Sequence, residues 1–281
     1  MKLPASIERI TPDWGAAGRS TYPPPGFVPF AENALGNGDQ FGLYWPFGGE
    51  KREPLVAEMQ HDGWAIAPAF SSLDAFLAAA GEDDGWVEAP TVEADPDSPV
   101  ACLAAAGDLA QRGQVEGVIE LLRRAVARLP EFGTAQWMLS RMLARAKRQH
   151  EAFAPAIAAA LAPPCFGGAS REALDWLRRQ SDCPQEIGAD PLWRRRSELR
   201  FVFGGAKENG DYAVLREIVA QYRELGMHVQ AMLLLQTYGE LLSRETVSFQ
   251  QRVGFSQAEH IAAQLRLGRE LGIDRRAEDG A

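Results

Sequence analysis

The sequence predicts an α+β fold followed by an all-α one: a small antiparallel-sheet domain at residues 1–89 and a helical-hairpin repeat domain at 99–281. Three observations carry this. Gly/Pro punctuation and alternating aromatic residues fill the first ninety positions, whereas long Ala/Leu/Arg/Glu/Gln segments follow. Residues 88–99 hold three prolines, at Pro90, Pro96 and Pro99, and no apolar period, the composition of an extended linker. Sliding the second part by 34 residues superposes Ala105 on Leu139, Leu109 on Leu143, Val118 on Ala152, Ala125 on Ala159 and Pro130 on Pro164.

In the first domain Pro23-Pro24-Pro25-Gly26 forbids a helix and leads into an edge-type strand at 27–30. A tight turn at Gly36-Asn37-Gly38-Asp39 opens a strand at 40–45 that places Phe41, Leu43 and Trp45 on one face. The next strand, 54–60, sets Leu55, Ala57 and Met59 against Val56, Glu58 and Gln60, and His61-Asp62-Gly63 turns it into a short strand at 64–67. Ser71 or Ser72 caps a helix at 73–80, with Leu73, Phe76 and Leu77 as its apolar stripe.

The second domain starts with helices at 99–112 and 115–129, closed by Pro130, and repeats them at 133–147 and 151–161, where Pro155 interrupts the last. Beyond Pro164 the period fades, yet helices continue at 171–180, 192–206, 212–225 and 227–242. Asp190-Pro191 opens the second of these, and Gly226 stops the third. Ser256-Gln257-Ala258-Glu259 is a capping box before a final helix at 260–271.

Charge divides the same way. Residues 1–100 carry 5 Lys or Arg against 16 Asp or Glu, a net of −11, and residues 101–281 carry 24 against 22, a net of +2. An acidic first part disfavours nucleic acid and anionic membrane and attracts a basic protein. With no long apolar run, no apolar leader at the start and three scattered cysteines (Cys102, Cys165, Cys183), the expected compartment is the cytoplasm.

No chemistry-bearing motif stands out. The four histidines, His61, His150, His228 and His260, lack His or Cys partners at ligand spacing, so no metal and no cofactor is expected. Phe203-Gly204-Gly205-Ala206-Lys207 lacks the hydroxyl of a phosphate loop and ends a predicted helix. Glu82-Asp83-Asp84-Gly85 reads as a solvated acidic turn. Arg178, Arg179, Arg194, Arg195, Arg196 and Arg200 read as a salt-bridged helix face, because Asp190 and Glu198 punctuate the run. Trp137, Trp176 and Trp193 lie in helical stripes and read as packing. The chain is therefore expected not to be an enzyme. What remains is surface: Gln136, Ser140, Arg141 and Arg145 toward a helical groove, and the outward strand positions Tyr44, Glu58 and Gln60, as sites for a protein partner.

Two resemblances add to this reading. Gly38-Asp39 before an apolar strand, Pro54-Leu55-Val56, His61-Asp62 and Ala69-Phe70-Ser71-Ser72-Leu73-Asp74-Ala75-Phe76-Leu77 resemble the SUKH domain over about residues 26–80. The opening helices usual in that family have no counterpart in residues 1–25. The period of 34, the small residues and the closing prolines of 99–164 resemble the tetratricopeptide repeat, although Val118 and Leu122 stand where that family favours Ala and an aromatic. The first resemblance implies an immunity protein that neutralises a basic bacterial toxin by binding it. The second implies a scaffold or adaptor that holds a peptide or protein segment in its groove.

Overall fold

The structure, a computed structural model, describes residues 20–31, 39–49, 51–79, 87–168, 170–201 and 210–272. The predicted turn at 36–38, the acidic run at 82–85 and the glycine cluster at 204–207 lie outside the described residues. Four strands precede eleven α-helices among the described residues, so the predicted sequence of an α+β part and a helical part is what the chain adopts. Contacts divide it into two compact units, one running to Pro130 and the other Glu131–Leu271. No helix among the described residues is long and apolar enough to cross a membrane.

In the first unit, β1 (Phe27–Ala31), β2 (Gln40–Tyr44), β3 (Leu55–Gln60) and β4 (Ala65–Phe70) form an antiparallel meander in chain order. Leu43 lies opposite Val56, and Val56 opposite Phe70. With Phe41 and Phe76 these residues make an apolar cluster on which α1 (Leu73–Ala79) packs. Ser72 begins α1 by accepting the Ala75 N–H at 3.1 Å. Of the predicted stripe, Phe76 is fully buried and Leu73 packs against the cluster, whereas Leu77 is exposed.

Strict alternation in β2 fails for a physical reason. A side chain at Gly42 would meet the Phe27 ring at 2.6 Å, so that ring lies across the strand where the glycine leaves room. Tyr44, opposite both Phe27 and Leu55, is 0% exposed. Both faces of β2 are covered.

The stretch at 88–99 is tied down at two points. Asp95 is buried and accepts the Ser71 N–H (2.8 Å) and hydroxyl (2.6 Å). Ser98 is buried; its hydroxyl donates to the Ala69 carbonyl at 2.6 Å and accepts the Ala101 N–H, capping α2 (Pro99–Gln111). From the end of α3 (Val115–Arg128), the Arg128 guanidinium donates to the carbonyls of Ser71, Glu53 and Pro54. The hairpin of α2 and α3 therefore belongs to the sheet's unit, which extends past the boundary expected from composition.

The second unit opens with α4 (Gly133–Arg145) and α5 (Gln149–Leu161), the repeated hairpin of the sequence. Fully buried Ala152, Ala156, Ala159 and Ala160 allow close approach along α5, which runs through Pro155 without a break. After a 3-10 turn at Pro164–Phe166 come α6 (Ser170–Arg178) and α7 (Pro191–Arg195). The helix predicted to reach 206 ends at Arg195; Asp190 caps it and accepts the Tyr222 hydroxyl. Phe153 meets Trp176 at 5.2 Å and Trp193 at 5.6 Å, which makes these tryptophans packing groups. Of the arginines nearby, Arg178, Arg195 and Arg196 are engaged within the unit. Arg195 pairs with Glu198 and Glu217, and Arg196 lies 3.5 Å over the Trp193 ring. Then α8 (Asp211–Glu224) and α9 (His228–Ser243) form a hairpin, and α11 (Gln257–Leu271) packs on α9 after the short α10 (Val247–Arg252), an element the sequence reading did not include.

Candidate functional site

The seven residues expected at a partner surface separate into groups. Tyr44 is not an outward position, since the sheet has no wet face there. Gln136 and Ser140 are buried rather than presented in a groove, and the Ser140 hydroxyl donates to the Ala152 carbonyl of α5 at 2.9 Å. Glu58, opposite Phe41, is half-buried; desolvation and then the neighbouring Asp39 push its carboxyl upward. Gln60 is exposed at the end of β3, where its carbonyl and that of Ala65 accept the Tyr22 hydroxyl. Arg141 and Arg145 are exposed on α4. None of the seven lines a cavity described within its own unit.

The cavity that does gather chemistry lies in the second unit, between α8, α9 and the start of α11. It has a volume of about 300 Å³. Its floor is Tyr238, Phe255 and His260, all largely buried. The Tyr238 ring meets Phe255 edge-on at 5.7 Å, and His260 stands 5.6 Å from Phe255 and 6.1 Å from Tyr238. Arg216 and Arg223 line it from α8, with Ser256 and Glu259 on α11. Arg216 donates a hydrogen bond to the Tyr238 hydroxyl, whose titration burial pushes upward.

Local sequence builds this floor. Gly254, at φ +68°, ends α10 in a left-handed turn closed by the Phe255 N–H on the Gln250 carbonyl at 2.8 Å. Ser256 then caps α11 by accepting the Glu259 N–H, as the capping box predicts, and the first turn delivers His260. Gly239, mid-helix in α9, makes room for the imidazole: a Cβ there would stand 2.2 Å from His260 Nε2. That nitrogen is buried and has no hydrogen-bond partner, and burial pushes the imidazole down to about 4, so it is neutral at pH 7. In the sequence His260 reads as a lone histidine. The available signal was Gly239, a glycine inside an otherwise strong helical pattern.

Behind the floor runs a buried polar chain. Glu240, fully buried on α9, accepts the Cys165 backbone N–H at 3.0 Å, the Cys165 thiol, and Gln236 Nε2 at 2.8 Å. Gln264 Nε2 of α11 donates to Gln236 Oε1 at 2.5 Å. Desolvation raises the Glu240 carboxyl to about 7 despite these donors and Arg244. The same burial, with Glu240 and Glu131 nearby, drives the Cys165 thiol well up, which leaves it a protonated donor rather than a nucleophile. Among the described residues no three His, Cys, Asp or Glu side chains gather as metal ligands.

Comparison with known proteins settles the family. The profile of the YfbP N-terminal domain matches residues 13–88, and that of the YfbP C-terminal domain matches residues 202–276. The protein YfbP of Escherichia coli (strain K12) is 33% identical over 260 residues, which span 91% of this chain and 92% of that protein. No solved structure matches. The resemblances to SUKH domains and tetratricopeptide repeats are thereby overturned: neither family is found. A glycine-led turn, short strands and a capped helix are common to many small sheets, and two helical hairpins with small contact residues are common to many helical arrays. The residues that line the cavity, from Arg216 to Ala263, all fall within the second match.

Proposed function

The chain belongs to the YfbP family, and from that premise we propose that it is a non-enzymatic, cytoplasmic protein-binding protein whose second unit receives a segment of a protein partner. The observation that carries this reading is the open, aromatic-floored cavity between α8, α9 and α11. Aromatic and arginine side chains around a concavity are the composition of binding hot spots. The titratable groups behind it are engaged in holding helices together: the Glu240 carboxyl accepts from Cys165 and Gln236, and the Cys165 thiol is held protonated. Neutralisation of a basic toxin loses its ground with the family resemblance that suggested it. The alternative drawn from the sequence, a helical scaffold or adaptor, now fits better, with its binding surface moved from α4 to α8, α9 and α11.

The test is photo-crosslinking in cells. A photoreactive residue at Ala220, which lines the cavity from the exposed side of α8, is expected to give a discrete adduct containing peptides of a second protein. The same residue at exposed Ala127 is the control. An adduct with nucleic acid or a metabolite at position 220, or none at all, overturns the reading.

A further inference from the structure

We infer that the cavity seats an aromatic side chain carried by an acidic segment of the partner protein. This rests on the protein-binding reading and specifies its chemistry. A volume of about 300 Å³ bounded by Tyr238, Phe255 and His260 accommodates a ring, and ring edges and faces at 5.6–6.1 Å from one another offer it tilted contacts. His260 is the second, independent pointer. It is only 5% exposed, its Nε2 has no partner, and α9 gives up a side chain at Gly239 to hold it there. The unpaired nitrogen costs stability in the empty protein, a cost that close packing on α9 does not repay with a hydrogen bond. The imidazole is neutral, which keeps the floor suited to an uncharged ring.

Charge at the mouth selects what flanks that ring. Arg216 and Arg223 stand two turns apart on α8; Glu259 is the carboxylate among the lining residues, and Glu270 stands beside Arg223. Glu259 lies in the first turn of α11, where the helix dipole already accounts for it. Arg223 has a distant ion pair with Glu270 at 3.9 Å. Arg216 spends one donor on the Tyr238 hydroxyl, and a guanidinium has five. Its remaining fork matches a carboxylate, so acidic residues beside the inserted ring are favoured and basic ones repelled.

Four probes test this on the full chain: a blocked acidic pentapeptide with a central phenylalanine, the same peptide with a central alanine, the phenylalanine peptide with lysines as flanks, and 3-phenylpropionate. Binding is read from the imidazole resonances of His260. The acidic phenylalanine peptide is expected to shift them, and to bind more weakly as salt rises. Arg216→Glu is expected to weaken it at least about tenfold. Ala263→Trp, which fills the cavity from its rim, is expected to abolish binding while thermal unfolding stays cooperative. The alanine and lysine peptides are expected to leave His260 unmoved. Equal binding by the lysine peptide, equal binding by 3-phenylpropionate, or no response to the acidic phenylalanine peptide each overturns the inference. If the peptides fail while crosslinking at Ala220 still captures a protein, this inference falls and the protein-binding reading stands.

Discussion

Glu240 on α9 accepts the backbone N–H of Cys165 at 3.0 Å, so one carboxylate fixes the turn that follows α5. Its burial has a consequence for pH. The carboxyl titrates at about 7 in the folded chain against an ordinary 4.5, so its contribution to stability is complete below about pH 4.5 and is lost as pH rises through about 7. His260 runs the other way. Its value of about 4 against 6.5 gives a contribution present above about pH 6.5 and lost as pH falls through about 4. Between about pH 4.5 and 6.5 the two slopes offset each other. In Glu240→Gln only the His260 slope remains, and stability relative to wild type is expected to rise by about 2 kcal/mol across that window. Urea unfolding at several pH values measures the difference, and a difference that does not change with pH would refute the assignment.

Gly239→Ala places a Cβ 2.2 Å from His260 Nε2. Alanine is worth up to about 1 kcal/mol more than glycine in a helix, but overpacking costs about 1–3 kcal/mol. Net destabilisation is expected. In a chain that also carries His260→Ala the same change is expected to stabilise, so a double-mutant cycle by chemical denaturation should show strong coupling. Additive effects would mean the two residues do not compete for space.

Asp95→Ala removes both bonds to Ser71. Hydrogen bonds to a charged acceptor contribute about 1.5–3 kcal/mol each and are not additive, so a loss of about 2–3 kcal/mol is expected. Limited proteolysis supplies a local readout: cleavage within 88–99 should accelerate in the variant. Equal cutting of both proteins would show that Asp95 does not hold this stretch.

Arg128→Lys tests geometry rather than charge. One guanidinium spans the carbonyls of Ser71, Glu53 and Pro54, which a compact ammonium does not reproduce. The lysine variant is expected to lose about 1–2 kcal/mol, close to the loss in Arg128→Ala. Full stability in Arg128→Lys, measured by thermal unfolding, would reduce the role to a point charge.

Elements governed by neighbours in sequence were legible. Ser72 capping α1, Ser256 capping α11, Asp190-Pro191 opening α7 and the alternation of Phe41, Leu43 and Trp45 all follow from local rules. Tyr44 reads as outward because alternation presumes one wet face, and nothing near residue 44 announces that the Phe27 ring crosses Gly42. Ser140 reads as a groove residue because a small polar side chain looks alike in a groove and in a helix contact. The candidate site escaped for a different reason. Its members come from α8, α9 and α11, and the chain behind it joins Cys165 to Glu240 and Gln264, pairings that only tertiary structure creates.

The single hydroxyl of Ser98 serves two masters, the end of β4 through Ala69 and the first turn of α2 through Ala101. Neither end can fray without releasing the other. Hydrogen exchange at the end of β4 and at the start of α2 should then proceed through one shared opening, with matched protection in the two segments, and the edge of the sheet and the helix that follows it should melt as a single foldon.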